Sequence, residues 1–535
     1  MNKHSLSRLI PGSALFLIIL LALFVRSYNI ENIPAAVYPD EAVNAADAMY
    51  ANETGDYKVF YPNNYGREGL FINLQALAIK AFGTTIPALK LWSIIFGTLT
   101  VLGLYFLAKE LFKRRLAGLI AAFITATSFW AINFSRIGFR AIMTSFILSF
   151  AFFFFFRGLR TRNYRDFMWS GLIFGLGLHT YIAFRLAPLI LIILLPALLL
   201  SYENFLKRYY KHALVFALAA FVSAVPMFYH FFITNPDDFA SRSTAVSIFS
   251  PQVNGGHPWL LLGKTFGLSM LKYNFWGDQN WRHNYPPYPI LDPFVGAFFL
   301  AGFLSVIWQT ITLLGRRIRE GDRDQRLVTN FFLLGSFFVM LMPEFLTDEG
   351  LPHALRSIGT QTPVFLMATL PAFWLGKKAF TSQAGARIAF SSLLIIFLGV
   401  GAIFNITKYF VFFAHSPSQA GAFNLSYRNM TDYLISLPEK THKYVVSSDQ
   451  SKIQGNQLPI NVQPIVYLSY GKVQNLAYLL PDSKTTIAGT DSVLVLMNDN
   501  DQLIENIQKR IPLSQVERID LRPGTESAFT IIRIP

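Results

Sequence analysis

The sequence predicts a polytopic α-helical membrane protein that ends in a small α/β domain. Three observations predict it: a composition that is 53% hydrophobic and 14% charged, a series of apolar stretches separated by basic segments, and a polar C-terminal region. Soluble domains carry about 25% charged residues. Runs such as Leu15 to Val25 and Phe152 to Phe156 are too apolar for a water-facing surface. The composition therefore excludes an ordinary soluble fold.

Eleven apolar stretches are predicted to span the membrane. They lie at residues 9–25, 86–108, 116–132, 141–156, 167–183, 186–200, 213–233, 291–315, 327–342, 358–376 and 388–411. Several are short for a bilayer core of about 30 Å, so the predicted count ranges from ten to thirteen.

Basic segments alternate with these stretches and predict the orientation of the chain. Six short segments hold 21 of the 46 Lys and Arg residues: 1–9, 109–115, 157–166, 201–212, 316–327 and 377–387. A single charge run is usually a solvated face, but regular alternation is the positive-inside pattern. We therefore expect a multi-pass protein of the inner (plasma) membrane, with an uncleaved first span, a cytoplasmic N-terminus and no nucleic-acid partner despite the net charge of +15.

Two long loops and the C-terminal region are then extracytoplasmic. We expect a transmembrane domain over 1–411, with external loops at 26–85 and 234–290, and an α/β domain over 412–535 that docks on these loops. Within the last domain, strands are predicted at Tyr444–Val446, Ile465–Leu468, Ser492–Met497 and Phe529–Ile534, and helices at Met430–Leu437 and Gln502–Ile511. Leu70–Phe82 has the periodicity of a surface helix. The absence of cysteine excludes disulfides and thiolate metal sites.

An acidic pair, Asp40 and Glu41, follows the first span by about fifteen residues. Two adjacent carboxylates beside a bilayer are costly unless they face water, a metal or a substrate. The plain interpretation is a pair of solvated loop acids or the first turn of a helix. The functional interpretation is a catalytic pair, with Tyr38, Arg67 and Glu68 of the same loop contributing to the substrate site.

Basic residues at the external ends of spans form a second candidate set, because the positive-inside rule makes external cations unusual. The set is Arg136, Arg140, Arg185, Arg242, Arg282, His283, His353 and Arg356. The plain explanation, an interfacial side chain that snorkels, is expected to hold for about half of them. If they converge, they would bind a phosphate, since the guanidinium fork suits phosphate oxygens.

Together the two sets favour transfer of a sugar from a lipid phosphate. A sugar phosphate has a good leaving group, so it needs one base and a cationic partner for the phosphate. External reactive loops favour a polyprenyl-phosphate sugar over a cytosolic nucleotide sugar. Two alternatives stay open: a transporter or flippase of lipid-linked sugars, and a non-catalytic envelope scaffold.

Several local motifs carry a resemblance to a known family. They are Tyr38-Pro39-Asp40-Glu41, Gly66-Arg67-Glu68-Gly69-Leu70-Phe71, Ser135-Arg136-Ile137-Gly138-Phe139-Arg140, Arg282-His283-Asn284, Leu291-Asp292-Pro293 and Pro352-His353-Ala354-Leu355-Arg356-Ser357. In this order, over roughly residues 10–410, the chain resembles the GT-C membrane glycosyltransferases. It is most similar to bacterial glycosyltransferase family 39, the relatives of protein O-mannosyltransferases and lipid A aminoarabinose transferases.

The resemblance implies an inverting transfer from a polyprenyl-phosphate sugar to an external acceptor, which is a protein, a lipid or a glycan. It implies that Asp40 is the base or orients the acceptor, and that Glu41 supports it or helps to hold a divalent cation. The external basic residues would bind the lipid phosphate. The roles of Arg67 and Glu68, the sugar and the metal dependence stay open.

Overall fold

The structure is a computed structural model that describes residues 3–239, 246–381, 383–480, 487, 490–498 and 501–535. Of the predicted cationic set, Arg242 lies outside the described residues.

Helices dominate the chain up to residue 413. The first three are labelled α1 (Lys3–Ser27), α2 (Pro39–Thr54) and α3 (Gly69–Phe82). The others are Ile86–Phe112, Arg115–Thr127, Phe129–Ser135, Ile142–Thr161, Tyr164–Leu176, Pro188–Ser201, Phe205–Tyr229, Pro251–Asn254, Pro258–Leu271, Pro293–Glu320, Arg326–Phe345, Gln361–Thr381 and Ala384–Thr407.

A helix lies at each of the eleven predicted spans, but fewer satisfy a strict length and hydropathy test. Seven helices among the described residues are long and apolar enough to cross a membrane, and the count becomes eight if a bent pair is one span. The bent pair joins Arg115–Thr127 to Phe129–Ser135 at 62°. The predicted class, a polytopic helical membrane protein, is confirmed.

Two glycines show how tightly these helices pack. A Cβ on Gly171 would lie 2.3 Å from the backbone oxygen of Phe216, and one on Gly175 would lie 2.1 Å from that of Ala220. Such contacts are possible only without a side chain, which is how small residues allow membrane helices to approach closely. These glycines therefore serve packing between Tyr164–Leu176 and Phe205–Tyr229, as the sequence predicts.

The chain divides into two compact units. The first unit comprises Met1–Tyr28 and Ser93–Tyr409, and the second comprises Asn29–Trp92 and Phe410–Pro535. The division falls at 409/410, and the first long loop belongs to the same unit as the C-terminal domain. Docking of the C-terminal domain on the two long loops stays a prediction.

The second unit contains two sheets. A short hairpin pairs β1 (Phe60–Tyr61) with β2 (Arg67–Glu68). The five strands of the larger sheet are β3 (His442–Val446), β4 (Leu476–Leu479), β5 (Ser492–Leu496), β6 (Gln515–Ile519) and β7 (Phe529–Ile534). Their order is β4-β3-β5-β7-β6, with parallel pairs around β3 and antiparallel pairs around β7.

Helices complete the α/β domain, and one of them corrects a prediction. They are Pro417–Ala422, Leu425–Ser436, Gln463–Ser469 and Asp501–Arg510. The predicted strand at Ile465–Leu468 is wrong, because these residues lie in the helix Gln463–Ser469. A short buried apolar run fits a strand or a buried helix equally well, and Pro464 in the first turn favours the helix.

Candidate functional site

The acidic pair forms the first turn of α2, whose N-terminal residues include Pro39. A carboxylate is favourable here because it faces the positive end of the helix dipole. Glu41 is fully buried, and its Oε2 accepts a hydrogen bond from the backbone N–H of Tyr38 at 3.4 Å. Asp40 is half-buried, and its Oδ1 accepts a hydrogen bond from Nδ2 of Asn64 at 2.7 Å. The two carboxylates therefore differ in burial and in role. Glu41 stabilises the first turn of the helix, whereas Asp40 is partly exposed to solvent.

The turn that carries Asn64 has a left-handed backbone. Asn64, Tyr65 and Gly66 have φ values of 50°, 65° and 83°, a run in which asparagine and glycine are the residues tolerated best. This turn connects β1 to β2, so the hairpin aims the Asn64 amide at Asp40.

A buried ion pair lies beneath this turn. Arg67 and Asp47 are both buried and form a salt bridge. Nε of Arg67 donates to the backbone oxygen of Asn63 at 3.1 Å, and Nδ2 of Asn63 donates to Oδ1 of Asp47 at 2.7 Å. Asn44 accepts a further bond from Arg67. Burial raises the pKa of the Asp47 carboxyl, and the charge of Arg67 and the bond from Asn63 oppose that rise. Arg67 thus joins the hairpin to α2.

Tyr38 and Glu68 are also buried. The ring of Tyr38 packs edge-on against Phe423 at 5.8 Å. Glu68 pairs with Phe60 in the hairpin and precedes α3 as its N-cap residue. Both are positioned to support the loop from within.

The C-terminal domain is fastened to the same hairpin. Oδ1 of Asn63 accepts a bond from the backbone N–H of Gln454 at 2.7 Å, and Nδ2 donates to the Gln454 oxygen at 3.1 Å. Because Asn63 also contacts Asp47, one amide connects α2, the hairpin and the C-terminal domain.

In the first unit, three separate loops meet around His283. Its ring stacks on Phe134 at 5.6 Å and lies 4.7 Å from the ring of His353. Nδ2 of Asn133 donates to the backbone oxygen of Arg282 at 2.9 Å. The structure therefore brings together the loops that carry Arg136, Arg282 and His353.

Several predicted phosphate ligands already contact protein groups. Arg136 is fully buried; its Nη1 and Nη2 donate to the backbone oxygens of Val25 and Tyr28 at 2.9 and 2.7 Å. The guanidinium of Arg140, also buried, lies over the rings of Phe139 and Tyr181 at 5.2 and 5.4 Å.

Arg185 and Arg356 also have partners on the protein. Arg185 lies over Phe231 at 4.5 Å and donates to the backbone oxygen of Phe239. Arg356 donates to Oγ1 of Thr347 at 2.6 Å and forms an ion pair with Glu349. A phosphate at Arg356 would compete with this carboxylate.

Asp278, His283 and His353 form a group that could hold a metal ion. Each offers one ligand atom, and the three atoms lie within 4.8 Å of one another. Oδ2 of Asp278 is 3.0 Å from Nδ1 of His283 and accepts the backbone N–H of Ala354 at 2.7 Å. Two imidazoles and one carboxylate are a ligand set that suits Zn²⁺. The plain alternative is a carboxylate that orients a histidine without a metal.

Sequence reasoning missed Asp278, together with the supporting residues Asn44, Asp47 and Asn63. Asp278 is five residues before His283, but His353 is a further seventy residues away, so no local spacing reveals the group. Asp40 was found because two acids beside a span are visible in the sequence itself.

The matches to known proteins agree with the fold. Residues 70–230, less than a third of the chain, match the family model described as dolichyl-phosphate-mannose-protein mannosyltransferase. No curated protein matches the chain.

The chain is also similar to solved structures. ArnT from Cupriavidus metallidurans, solved with bound undecaprenyl phosphate, is similar with a TM-score of 0.50 and 12% identity, over 98% of this chain and 98% of ArnT. The Archaeoglobus fulgidus oligosaccharyltransferase, tethered with an acceptor peptide, has a TM-score of 0.49 at 14% identity over 95% of this chain and 69% of its own. The arabinofuranosyltransferase AftD from Mycobacteria has a TM-score of 0.46 at 14% identity, over 98% of this chain and 40% of AftD.

The class of protein is therefore a multi-pass membrane protein with the GT-C fold. The predicted resemblance to the GT-C membrane glycosyltransferases is confirmed by this fold and by the family model together.

Proposed function

We propose that the protein transfers a sugar from a polyprenyl-phosphate donor to an extracytoplasmic acceptor, with inversion at the anomeric carbon. The observation that supports this best is the position of Asp40, a half-exposed carboxylate that Asn64 orients at the start of α2. A general base needs such an accessible and oriented carboxylate.

In the proposed step, an acceptor hydroxyl gives its proton to Asp40 while its oxygen forms a bond to C1 of the sugar. The attack comes from the face opposite the phosphate. The bond between C1 and the phosphate oxygen breaks, and polyprenyl phosphate leaves with the electron pair. Glu41 keeps the first turn of α2 in place during the reaction.

The leaving phosphate requires cations, and Arg140, Arg282 and Arg356 are the proposed partners. Oriented guanidinium donors stabilise the charge that develops on a leaving phosphate. Arg136 and Arg185 have backbone oxygens as partners, so we assign them a positioning role for the loops.

Asp278, His283 and His353 are the proposed ligands of a divalent cation. Such an ion would act as a Lewis acid beside a phosphate or fix the loops to one another. Direct binding of a cation by Asp40 and Glu41 stays a second possibility, tested by the same metal analysis.

Asp40→Asn tests the proposal in proteoliposomes supplied with polyprenyl-phosphate sugars. We expect transfer to fall by roughly 10²–10⁴-fold, the usual contribution of a general base. Asp56→Asn is the matched control, because Asp56 lies in the same loop but is exposed and pairs with Lys58. Product with retained configuration, or near-normal turnover by a folded Asp40→Asn protein, would contradict the proposed reaction.

A lipid-linked sugar transporter would move the donor across the bilayer without releasing polyprenyl phosphate. The same proteoliposomes distinguish the two functions, because only transfer produces free polyprenyl phosphate and a glycosylated acceptor.

The proposed orientation is also testable, since the chain has no cysteine of its own. Lys509→Cys, in the C-terminal domain, should react with a membrane-impermeant maleimide on intact cells. Glu320→Cys, in a predicted cytoplasmic segment, should react only after permeabilisation. The reverse labelling pattern would invert the topology.

A further inference from the structure

The second unit has a cavity of about 230 Å³ that none of the candidate site residues described above lines. Its lining includes Asn32, His415, Gln419, Arg428, Arg522 and Thr525. Pockets for drug-sized ligands measure about 300–1,000 Å³, so this one suits a smaller group.

Gln419 in its wall has unmet hydrogen-bonding capacity. Its side chain is 1% exposed, and neither Oε1 nor Nε2 has a hydrogen-bond partner among the described residues. A buried polar group without a partner destabilises the folded state. Because Gln419 lines the cavity, a group bound there is a candidate partner for this amide.

Two guanidinium groups face the same cavity. Nη1 of Arg428 donates to the backbone oxygens of Glu31 and Ala35 at 2.7 and 3.1 Å, which fixes its orientation. Nη2 of Arg522 donates to Oδ2 of Asp432 at 3.1 Å. A guanidinium has five N–H donors, so both arginines retain donors for a ligand.

The charges in the cavity are only partly balanced. Burial lowers the pKa of Arg428, and the positive charge of Arg522 lowers it further, whereas Asp432 and Glu31 oppose this. The Glu31 carboxylate is 3.7 Å from Arg428, and Glu31 and Asp432 are about half exposed. An anion between the guanidiniums would relieve their repulsion further than these two partly exposed carboxylates do.

The position of the cavity along the chain indicates the source of the anion. His415 lies two residues after the end of the candidate span Ser391–Phe413. Gln419 is six residues after it, at most about 20 Å of extended chain. The cavity is therefore within reach of lipid headgroups.

We propose that Gln419, Arg428 and Arg522 bind a phosphate group carried by a headgroup of the surrounding bilayer. The planar forks of the arginines match phosphate oxygens, and Nε2 of Gln419 adds a neutral donor. This site does not depend on the proposed transfer reaction, and each can fail without the other.

The test uses the full chain in nanodiscs of phosphatidate and phosphatidylcholine, with retained lipid measured by native mass spectrometry. Arg522→Gln should lower phosphatidate retention about fivefold, the effect of one basic residue near an anionic surface, about 1 kcal/mol. Arg518→Gln is the matched control, because it removes the same charge from an exposed position of the same domain. It should leave retention unchanged.

Gln419→Leu separates binding from folding. The change removes the unmet amide at similar volume, so the melting temperature in phosphatidylcholine alone should be maintained or raised, while phosphatidate retention falls. Equal retention by the wild type and Arg522→Gln, or an equal fall in Arg518→Gln, would overturn the proposal.

Inorganic phosphate in phosphatidylcholine nanodiscs distinguishes a headgroup from a soluble anion. We expect phosphate alone to bind much more weakly than phosphatidate. Equal binding of phosphate, with the same loss in Arg522→Gln, would show a soluble ligand and overturn the headgroup assignment.

Discussion

Two regions differ in how their charged side chains are paired. They are the Asp40 region, with the Arg67–Asp47 pair beneath it, and the His283 region, where the loops that carry Asp278 and His353 meet. In the first, the carboxylate of Asp40 is half-buried and accepts a hydrogen bond from Asn64. A buried ion pair between Arg67 and Asp47 lies beneath it and supports it. In the second, the carboxylates already contact side chains of the same region, as Asp278 does with His283 and Glu349 does with Arg356.

Because of this difference, stability and function can be tested separately in one region but not in the other. In the Asp40 region the supporting pair and the reactive group are different residues, so each can be changed alone. In the His283 region the candidate ligands are also the groups that hold the loops together, so one change affects both.

Breaking the support of the Asp40 region should have the largest effect. Arg67→Met leaves the Asp47 carboxylate buried without its partner, which costs about 3–5 kcal/mol in comparable buried pairs. Thermal or denaturant unfolding of the second unit should show the loss. Lys58→Met is the control, because the Lys58–Asp56 pair is exposed and should matter little. Equal stability of the two variants would show that the buried Arg67–Asp47 ion pair does not support this region.

Metal analysis tests the His283 region. His353→Ala removes a proposed zinc ligand and should abolish bound zinc. Changing a residue that only hydrogen-bonds to a ligand lowers metal affinity by roughly 10–100-fold, so the loss here should be larger. The measurement is elemental analysis of purified protein, with His442→Ala as an exposed control. If zinc persists in His353→Ala but disappears in Asp40→Asn, the metal site would be assigned to the acidic pair instead.

Loss of the Asn64 amide should have a smaller effect, confined to turnover. Asn64→Ala removes the bond to Asp40, and bonds to charged groups contribute about 1.5–3 kcal/mol. We expect kcat to fall by roughly tenfold or more with donor KM unchanged. Asn456→Ala is the comparison, because its amide donates to Gln463 and not to an acid. A change in KM alone would assign Asn64 to donor binding.

The smallest effect is expected at Arg356, since its charge is already shared with Glu349. Arg356→Gln should lower kcat/KM for the donor by about tenfold, equivalent to 1.4 kcal/mol. A wild-type kcat/KM would remove Arg356 from the proposed phosphate ligands.

Much of the fold was predictable because its determinants are local. Apolar stretches gave a helix at each expected span, and the apolar strands β3, β5 and β7 were found because they occupy the middle of the sheet. The edge strands β4 and β6 were missed. β6 is polar and largely exposed, so it lacks the apolar run that reveals a central strand. β4 is an apolar run of only four residues, and so short a run does not by itself distinguish a strand from other structures.

The candidate site was predictable only where adjacent residues carry it. Asp40 and Glu41 are neighbours in sequence, but Arg67 meets Asp47 across twenty residues, and His353 meets His283 across seventy. The sequence predicts that Arg136 lies at an external span end, but it does not reveal that backbone oxygens of α1 and of the residue after it accept hydrogen bonds from Arg136.

A single-turnover experiment with excess enzyme tests the central claim, that Asp40 is the base, most directly. Release of polyprenyl phosphate from bound donor should be roughly 10²–10⁴-fold slower in Asp40→Asn than in the wild type, with the donor dissociation constant unchanged. A single-turnover rate close to that of the wild type, in a folded Asp40→Asn protein that binds donor normally, would contradict the account.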